Sequence, residues 1–160
     1  REVVKTQCRG LVIRTSWVFG QHGKNFVTTI LRAGLKRTSL RVVNDQWGRP
    51  TSADLLARVA LAVSIAPNSP SQIMHVTDGG PATNWFEIAQ YVLNRARDFG
   101  YDGLDADAVE PIATSEYPTA ARRPQNSLLD CSLFDRTVCM TRSPWQSTVD
   151  EVIKADAHHW

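Results

Sequence analysis

No window of this chain approaches the roughly 18 uninterrupted apolar residues of a membrane-crossing helix, and the opening REVVKTQCRG has no signal-like hydrophobic region. A cytoplasmic setting with no membrane partner is expected. Charge of one sign is also lacking. The 18 basic and 16 acidic residues leave a net charge of +2, too little for the field that a phosphate backbone recruits, so no nucleic-acid partner is expected. Cysteine is scarce. Cys8, Cys131 and Cys139 form no CxxC pair and have no His at zinc-ligand spacing, so neither a disulfide framework nor a metal site is written here. The adjacent pair His158-His159 precedes Trp160, where a frayed tail is the plainer reading than a metal ligand.

Catalytic motifs are missing as well. Gly20-Gln21-His22-Gly23, Gly79-Gly80 and Gly100-Tyr101-Asp102-Gly103 lack the GxGxxG or GxxxxGK[ST] spacing that brings backbone amides to phosphates. They read as turns. A Tyr-x-x-x-Lys pair would place a phenol and an ammonium on one helix face for proton transfer to a carbonyl oxygen. The residues four after Tyr91, Tyr101 and Tyr117 are Arg95, Asp105 and Ala121. No GxSxG elbow appears. No catalytic residue is therefore assigned. The chain also begins at Arg1, in mid-pattern, and is expected to be part of a longer one.

What is present is one domain's worth of chain: 160 residues, 42% hydrophobic and 21% charged, without repeats or a low-complexity linker. Leu11-Val12-Ile13 reads as a buried strand leaving through Thr15, Ser16 and Trp17. Asn25 suits an N-cap for a helix whose apolar face holds Phe26, Ile30, Leu31 and Leu35, weakened by Gly34. LRVV at 40–43 reads as a strand, DQWGRPTSA as a loop. Thr51 or Ser52 caps ADLLARVALAVSIA, apolar nearly all round and so expected to be a covered core helix. After a turn at 67–71, IMHV is a strand. Thr83 or Asn84 caps WFEIAQYVLNRARDFG, which Gly100 stops. VEPI is an edge strand because of Pro111. A long Pro-rich loop leads to SLLD, a brief strand; Ser132 caps LFDRTV, and Ser143-Pro144 opens a last helix to about 157. The alternation argues for an α/β class with parallel pairing.

Polar and aromatic residues collect at the ends of elements: Thr15, Ser16 and Trp17; Asn25; Asp45 and Gln46; Thr51; Arg122-Arg123-Pro124. An indole offers a flat wall and one donor, a guanidinium a fork for phosphate, and α/β ligands gather outside strand carboxyl ends. A nucleotide-sugar would use all of these. Taken singly, the plainer reading of the Trp is core packing, of the Arg-Arg pair a solvated face and of Asp-Gln a turn.

LVIRTSWVFG, GKNFVTTIL, VVNDQWGRPTSADLLA, TNWFEIA and TSEYPTAARRPQNSLLD, in that order from about residue 10 to 150, resemble the C-terminal half of dTDP-4-dehydrorhamnose reductases, in the extended short-chain dehydrogenase/reductase superfamily. The resemblance implies a fold in which an incomplete Rossmann sheet carries a small α/β substrate-binding domain. Residues 1–160 would then be one incomplete unit, the last Rossmann strands interleaved with that domain, and the N-terminal NADP-binding half absent. It implies NADPH (or NADH) reduction of the 4-keto group of dTDP-4-dehydro-L-rhamnose, giving dTDP-L-rhamnose for surface polysaccharides such as O-antigen. It allows for Mg2+ and a homodimer in the full-length protein. Trp17 would contact the substrate sugar and Thr15 and Ser16 would lie near the nicotinamide. From chemistry, Arg123 is assigned to the diphosphate, and Asn25 and Gln46 to sugar or thymine. The Gly-rich loop and Tyr-x-x-x-Lys dyad of that family are not in these residues, so the chain alone is expected to be inactive. A non-catalytic regulatory subunit and a nucleotide-sugar epimerase or dehydratase are the alternatives; DQWGRPT and YPTAARRP favour the reductases.

Overall fold

A computed structural model describes residues 10–36, 39–65 and 72–156. Cys8, the turn at 67–71 and the tail from His158 to Trp160, each read from sequence, lie wholly or largely outside the described residues. The elements run β1 (Leu11–Arg14), β2 (Val18–Phe19), α1 (Phe26–Gly34), β3 (Leu40–Val43), β4 (Trp47–Gly48), β5 (Thr51–Ser52), α2 (Ala53–Ile65), β6 (Gln72–His75), β7 (Thr83–Asn84), α3 (Trp85–Asp98), β8 (Val109–Ile112), α4 (Ser132–Thr137) and α5 (Trp145–Asp156). The pairs β1–β6, β2–β5 and β3–β8 are parallel; β4–β7 is antiparallel. The mixed α/β class expected from the alternation is the one observed.

Two apolar clusters form. In the larger, α1, α3 and α5 close on one another beside β3 and β8, burying Leu31, Ile88, Val92, Leu93, Val149 and Ile153. The heptad-like spacing on each helix explains this, since residues three and four apart share a face. Gly34 lets α1 approach α3, because a Cβ there would stand 2.6 Å from Leu93 Cδ2. Across the α3–α5 seam, Tyr91 Oη donates to Asp150 and Arg95 grips the same carboxylate with two nitrogens. Burial first, then that carboxylate, pushes the Tyr91 phenol up to about 12. The smaller cluster joins Leu55 and Val59 of α2, Met74 and Val76 around β6, and Phe134 of α4, with Leu11 and Ile13 packed against it.

Asp78 stands between the clusters. It is 1% exposed. Its carboxylate accepts from Ser52 N at 3.1 Å, Ser52 Oγ at 3.0 Å and Thr148 Oγ1 at 2.7 Å. Ser52 ends β5 directly ahead of α2, donating this bond while its Oγ accepts from Leu55 N as an N-terminal cap; Thr148 lies on α5. Burial pushes the carboxyl up from its ordinary value, and the three hydrogen bonds pull it back. Arg142 adds its guanidinium to the carbonyls of Thr77 and Asp78 while pairing with Asp135.

Four expectations change. The helix α2 is not a covered core helix: only Leu55 and Val59 are buried, and Leu61 and Ile65 are 65% and 74% exposed. Neighbours cover just one of its sides. The stretch DQWGRPTSA is not all loop, because Trp47–Gly48 and Thr51–Ser52 find strand partners distant in sequence. SLLD forms no strand: Asn126 Oδ1 takes the Leu128 N–H and Asp130 Oδ1 takes the Ser132 N–H, so these donors never reach a ladder. For the same reason Ser132 is the first helical residue rather than the cap, which Cys131 occupies without a side-chain bond.

Replacing Asp78 by Ala strands both Ser52 donors in the interior and leaves Thr148 Oγ1 only the Trp145 carbonyl, which should destabilise the fold by about 3 kcal/mol. Asp78→Asn should lose less, because Ser52 Oγ can turn to accept from the amide. Urea unfolding of the three proteins tests this, and equal midpoints would reject it.

Candidate functional site

The chain leaves β1 through Thr15 and Ser16 and reaches Trp17 with a φ of 51°. This is the left-handed region, which a bulky residue enters at a cost of roughly 1–3 kcal/mol. The turn between β4 and β5 holds it there. Ser16 Oγ donates to the Arg49 carbonyl at 3.0 Å, Thr51 Oγ1 donates to the Ser16 carbonyl at 2.7 Å, and Thr51 N donates to the Trp17 carbonyl. Backbone strain is thus traded for three bonds from one turn.

The strained backbone aims the half-buried Trp17 indole onto Trp85, with ring centroids 4.0 Å apart and planes 25° from parallel. Phe26 tilts against the other indole at 4.6 Å. Gly48 is required beneath: a Cβ there would lie 2.6 Å from Trp17 Cζ2. Trp17, Phe26, Pro50 and Trp85, floored by Phe19 and Ile88, line a shallow cleft of about 20 Å³ that opens to solvent. Its walls are apolar and aromatic. Such a surface takes a flat or half-apolar ring and leaves polar recognition to the rim.

Polar groups bonded to Trp85 form a directional chain. The Trp85 Nε1–H only donates, and it meets Gln46 Oε1 at 3.2 Å, which fixes the amide's orientation. Gln46 Nε2 therefore donates to Thr114 Oγ1 at 3.0 Å. Thr114 Oγ1 and N both donate to the Asp45 carboxylate. These bonds from Thr114 hold the Asp45 carboxyl below its ordinary value. The chain ties the first residue of α3 to the Pro-rich loop after β8.

Of the residues singled out in the sequence, Trp17 and Gln46 come together here, joined through Trp85. Asn25 stands at the N-cap of α1, its Oδ1 accepting from Thr28 N and its Nδ2 donating to the Gly20 carbonyl. Its side chain shapes the loop leading to Phe26. Thr15 Oγ1 is buried with no hydrogen-bond partner. Arg123 is exposed, on a loop sewn to β4 where Trp47 N donates to the Gln125 carbonyl and Ser127 N to that of Trp47. Among the described residues it makes no ion pair. No three His, Cys, Asp or Glu side chains among the described residues are grouped to hold a metal, and no described helix is long and apolar enough to cross a membrane.

Trp85 was legible only as one member of a helix stripe, and Thr114 as part of a long loop. The signal for Trp85 is its position directly after the Asn84 cap, where a first-turn side chain projects past the helix end.

Two outcomes follow from this geometry. Gly48→Ala should push the Trp17 ring off its seat, weakening the fold by roughly 1–3 kcal/mol and altering the near-ultraviolet circular dichroism of the indole pair. An unchanged spectrum would show that the ring is not held against Gly48. The lowered Asp45 pKa means its bonds to Thr114 stabilise the fold fully above 3.8 and fade as pH falls through the folded-state value. Asp45→Asn should abolish that part of the acid sensitivity in urea titrations run from neutral pH downward; parallel pH profiles for the two proteins would refute it.

The family model described as the RmlD substrate binding domain matches residues 1–158. A dTDP-4-dehydrorhamnose reductase of Shigella flexneri is 38% identical over 146 residues, which are 89% of this chain and 48% of the relative. Among solved structures, the dTDP-4-dehydrorhamnose reductase ortholog of Clostridium acetobutylicum aligns with a TM-score of 0.78 at 31% identity, over 94% of this chain and 49% of that one. The Bacillus anthracis dTDP-4-dehydrorhamnose reductase, solved in complex with NADP, aligns with a TM-score of 0.75 at 28% identity, over 90% and 48%. The chain thus spans about half the length of the curated relatives it matches. A strand exit strained into an aromatic cleft, a rim tied to a Pro-rich loop, and a match over nearly every residue lead to one conclusion: this chain belongs to the RmlD substrate-binding-domain family.

Proposed function

We propose that this chain forms the nucleotide-sugar side of a dTDP-4-dehydrorhamnose reductase, which reduces the 4-keto group of dTDP-4-dehydro-L-rhamnose with NADPH. The observation that carries the reading is the Trp17 indole, forced into a left-handed backbone and braced by Trp85 and Gly48 at an open apolar cleft. Packing alone gives no reason to accept that strain. A preorganised flat wall for a sugar ring does, because a ring met by a rigid indole loses less freedom on binding.

In this reading β1 and β6 close the edge of the cofactor sheet, and the larger cluster is the substrate domain. Gln46 and Asn25 hold the wall and its loop in place, and Arg123 reaches the nucleotide from the exposed loop. The residues at hand fit one end of a dinucleotide: Thr15 Oγ1 is a buried hydroxyl with no partner at the strand exit, suited to a carboxamide, while no Gly-rich loop for the pyrophosphate occurs in these residues. NADPH, when bound, supplies the hydride. What this chain contributes is orientation of the sugar against Trp17 and exclusion of water by Phe26, Pro50 and Trp85.

The Tyr-x-x-x-Lys dyad is not among the 160 residues, so proton transfer to the keto oxygen has no donor here. Without positioned cofactor and phenol, most of the rate enhancement is lost. The relatives named as reductases, of which this chain spans about half, support the same division of labour.

Two measurements test the proposal. In thermal-shift titrations dTDP-L-rhamnose should raise the melting temperature of the chain while UDP-galactose leaves it unchanged; equal shifts would favour an epimerase-type or unselective site, and none a docking subunit. Incubated with NADPH and the keto-sugar nucleotide, the 160 residues should produce no turnover.

A further inference from the structure

The bonds that seat the Trp17 ring need support of their own. Thr51 makes two of the three that hold the strand exit, and it belongs to β5, which is two residues long and pairs with the equally short β2. A ladder of that length does not fix its own geometry. The residue that follows Thr51 is fixed from elsewhere.

Ser52 meets Asp78 at two points, its N–H on one carboxylate oxygen at 3.1 Å and its hydroxyl on the other at 3.0 Å. Two bonds to the two oxygens of one planar group remove the rotation that a single bond leaves. Capping α2 does not ask for this, since the Ser52 hydroxyl accepts from Leu55 N without a carboxylate's help, and burying a carboxylate is costly. The carboxylate is in turn anchored from the far side. Thr148 Oγ1 donates to it at 2.7 Å, Arg142 donates to the Asp78 carbonyl at 3.2 Å, and the Gly79 amide donates to the Ser143 carbonyl at 2.7 Å. Asp78 is not among the residues that line the cleft. Only Ser52 and Thr51 stand between it and the Trp17 backbone.

We propose that Asp78 is a positioning residue for the sugar wall: it locks Ser52, so that Thr51 holds Trp17 in the left-handed conformation that lays the indole against Trp85. The part in ligand binding rests on the nucleotide-sugar reading above; the seating of the ring does not. A strained backbone persists only where its surroundings over-determine it, and it relaxes once a support moves. Without the carboxylate the apolar clusters still hold the fold, but the ring loses its single orientation. A wall with several orientations loses more freedom when a ligand binds. The loss falls on the sugar and spares the nucleotide, because the Trp17 face is assigned to the sugar alone.

Isothermal titration with dTDP-L-rhamnose, dTDP and UDP-galactose, run beside near-ultraviolet circular dichroism on the 160-residue chain and its Asp78→Asn, Ser52→Ala and Asp150→Asn variants, tests this. Asp78→Asn should alter the spectrum of the indole pair and weaken dTDP-L-rhamnose about tenfold while dTDP affinity holds. Ser52→Ala, which keeps the backbone bond and loses the hydroxyl one, should do the same to a lesser extent and serves if the Asn variant is poorly folded. Asp150→Asn removes a carboxylate bonded as fully, but in the α3–α5 seam. It should lower the urea midpoint and leave both the spectrum and the preference for dTDP-L-rhamnose unchanged. In a Trp17→Ala background, Asp78→Asn should cost no further dTDP-L-rhamnose affinity, as befits a residue that acts through the ring. An unaltered spectrum, or unaltered dTDP-L-rhamnose affinity, in both Asp78→Asn and Ser52→Ala would overturn the proposal. So would matching changes in Asp150→Asn, or a further loss in the absence of the indole. A wild-type chain that binds dTDP-L-rhamnose no better than UDP-galactose would overturn the nucleotide-sugar reading, and the spectra alone would then uphold or overturn the seating of the ring by Asp78.

Discussion

The buried carboxylate of Asp78 is the constraint on which the two halves of this structure depend. A charge with 1% exposure is tolerated only where its lone pairs are filled, and the three groups that fill them come from Ser52, just ahead of α2, and from the first turn of α5. The segment from Thr77 to Gly80 is clamped from outside as well, by the Arg142 guanidinium and by the Gly79 amide donating to the Ser143 carbonyl.

The site inherits its geometry from that junction through two consecutive residues. Ser52 answers to Asp78, and Thr51 beside it answers to Ser16 and Trp17. A shift in the junction therefore moves the strand exit directly. The same short turn carries Gly48 and Pro50, so the wall and the cleft are set by one piece of backbone. On the opposite side the chain from Trp85 through Gln46 and Thr114 to Asp45 ends in a carboxylate, which gives every donor in it a defined direction. The cleft is held from two sides by bonds that do not depend on a ligand.

Much of this was legible locally. Asn25 and Asn84 are short polar side chains directly ahead of apolar stripes, and both cap helices as that pattern requires. The strands at Leu11–Arg14, Leu40–Val43 and Val109–Ile112 announce themselves by β-branched density, and Trp17 stands out as an indole where a strand ends. The covering of α2 was not legible, because an all-apolar helix does not record how many neighbours it meets. The short strands β4 and β5 escaped for a similar reason. Two-residue strands carry no period, and their partners Asn84 and Phe19 are remote in sequence.

The sequence by itself determined the α/β class, the helix starts and the family pattern, since capping, turn chemistry and apolar spacing act over a few residues. Tertiary structure alone decided that Asp78 is buried, that Trp17 takes a left-handed backbone against Trp85, and that Gln46 bridges Trp85 to Thr114. Each of these is a matter of which distant group fills a lone pair, a ring face or a donor. No local rule states such a choice, because it is made only when the chain has closed on itself.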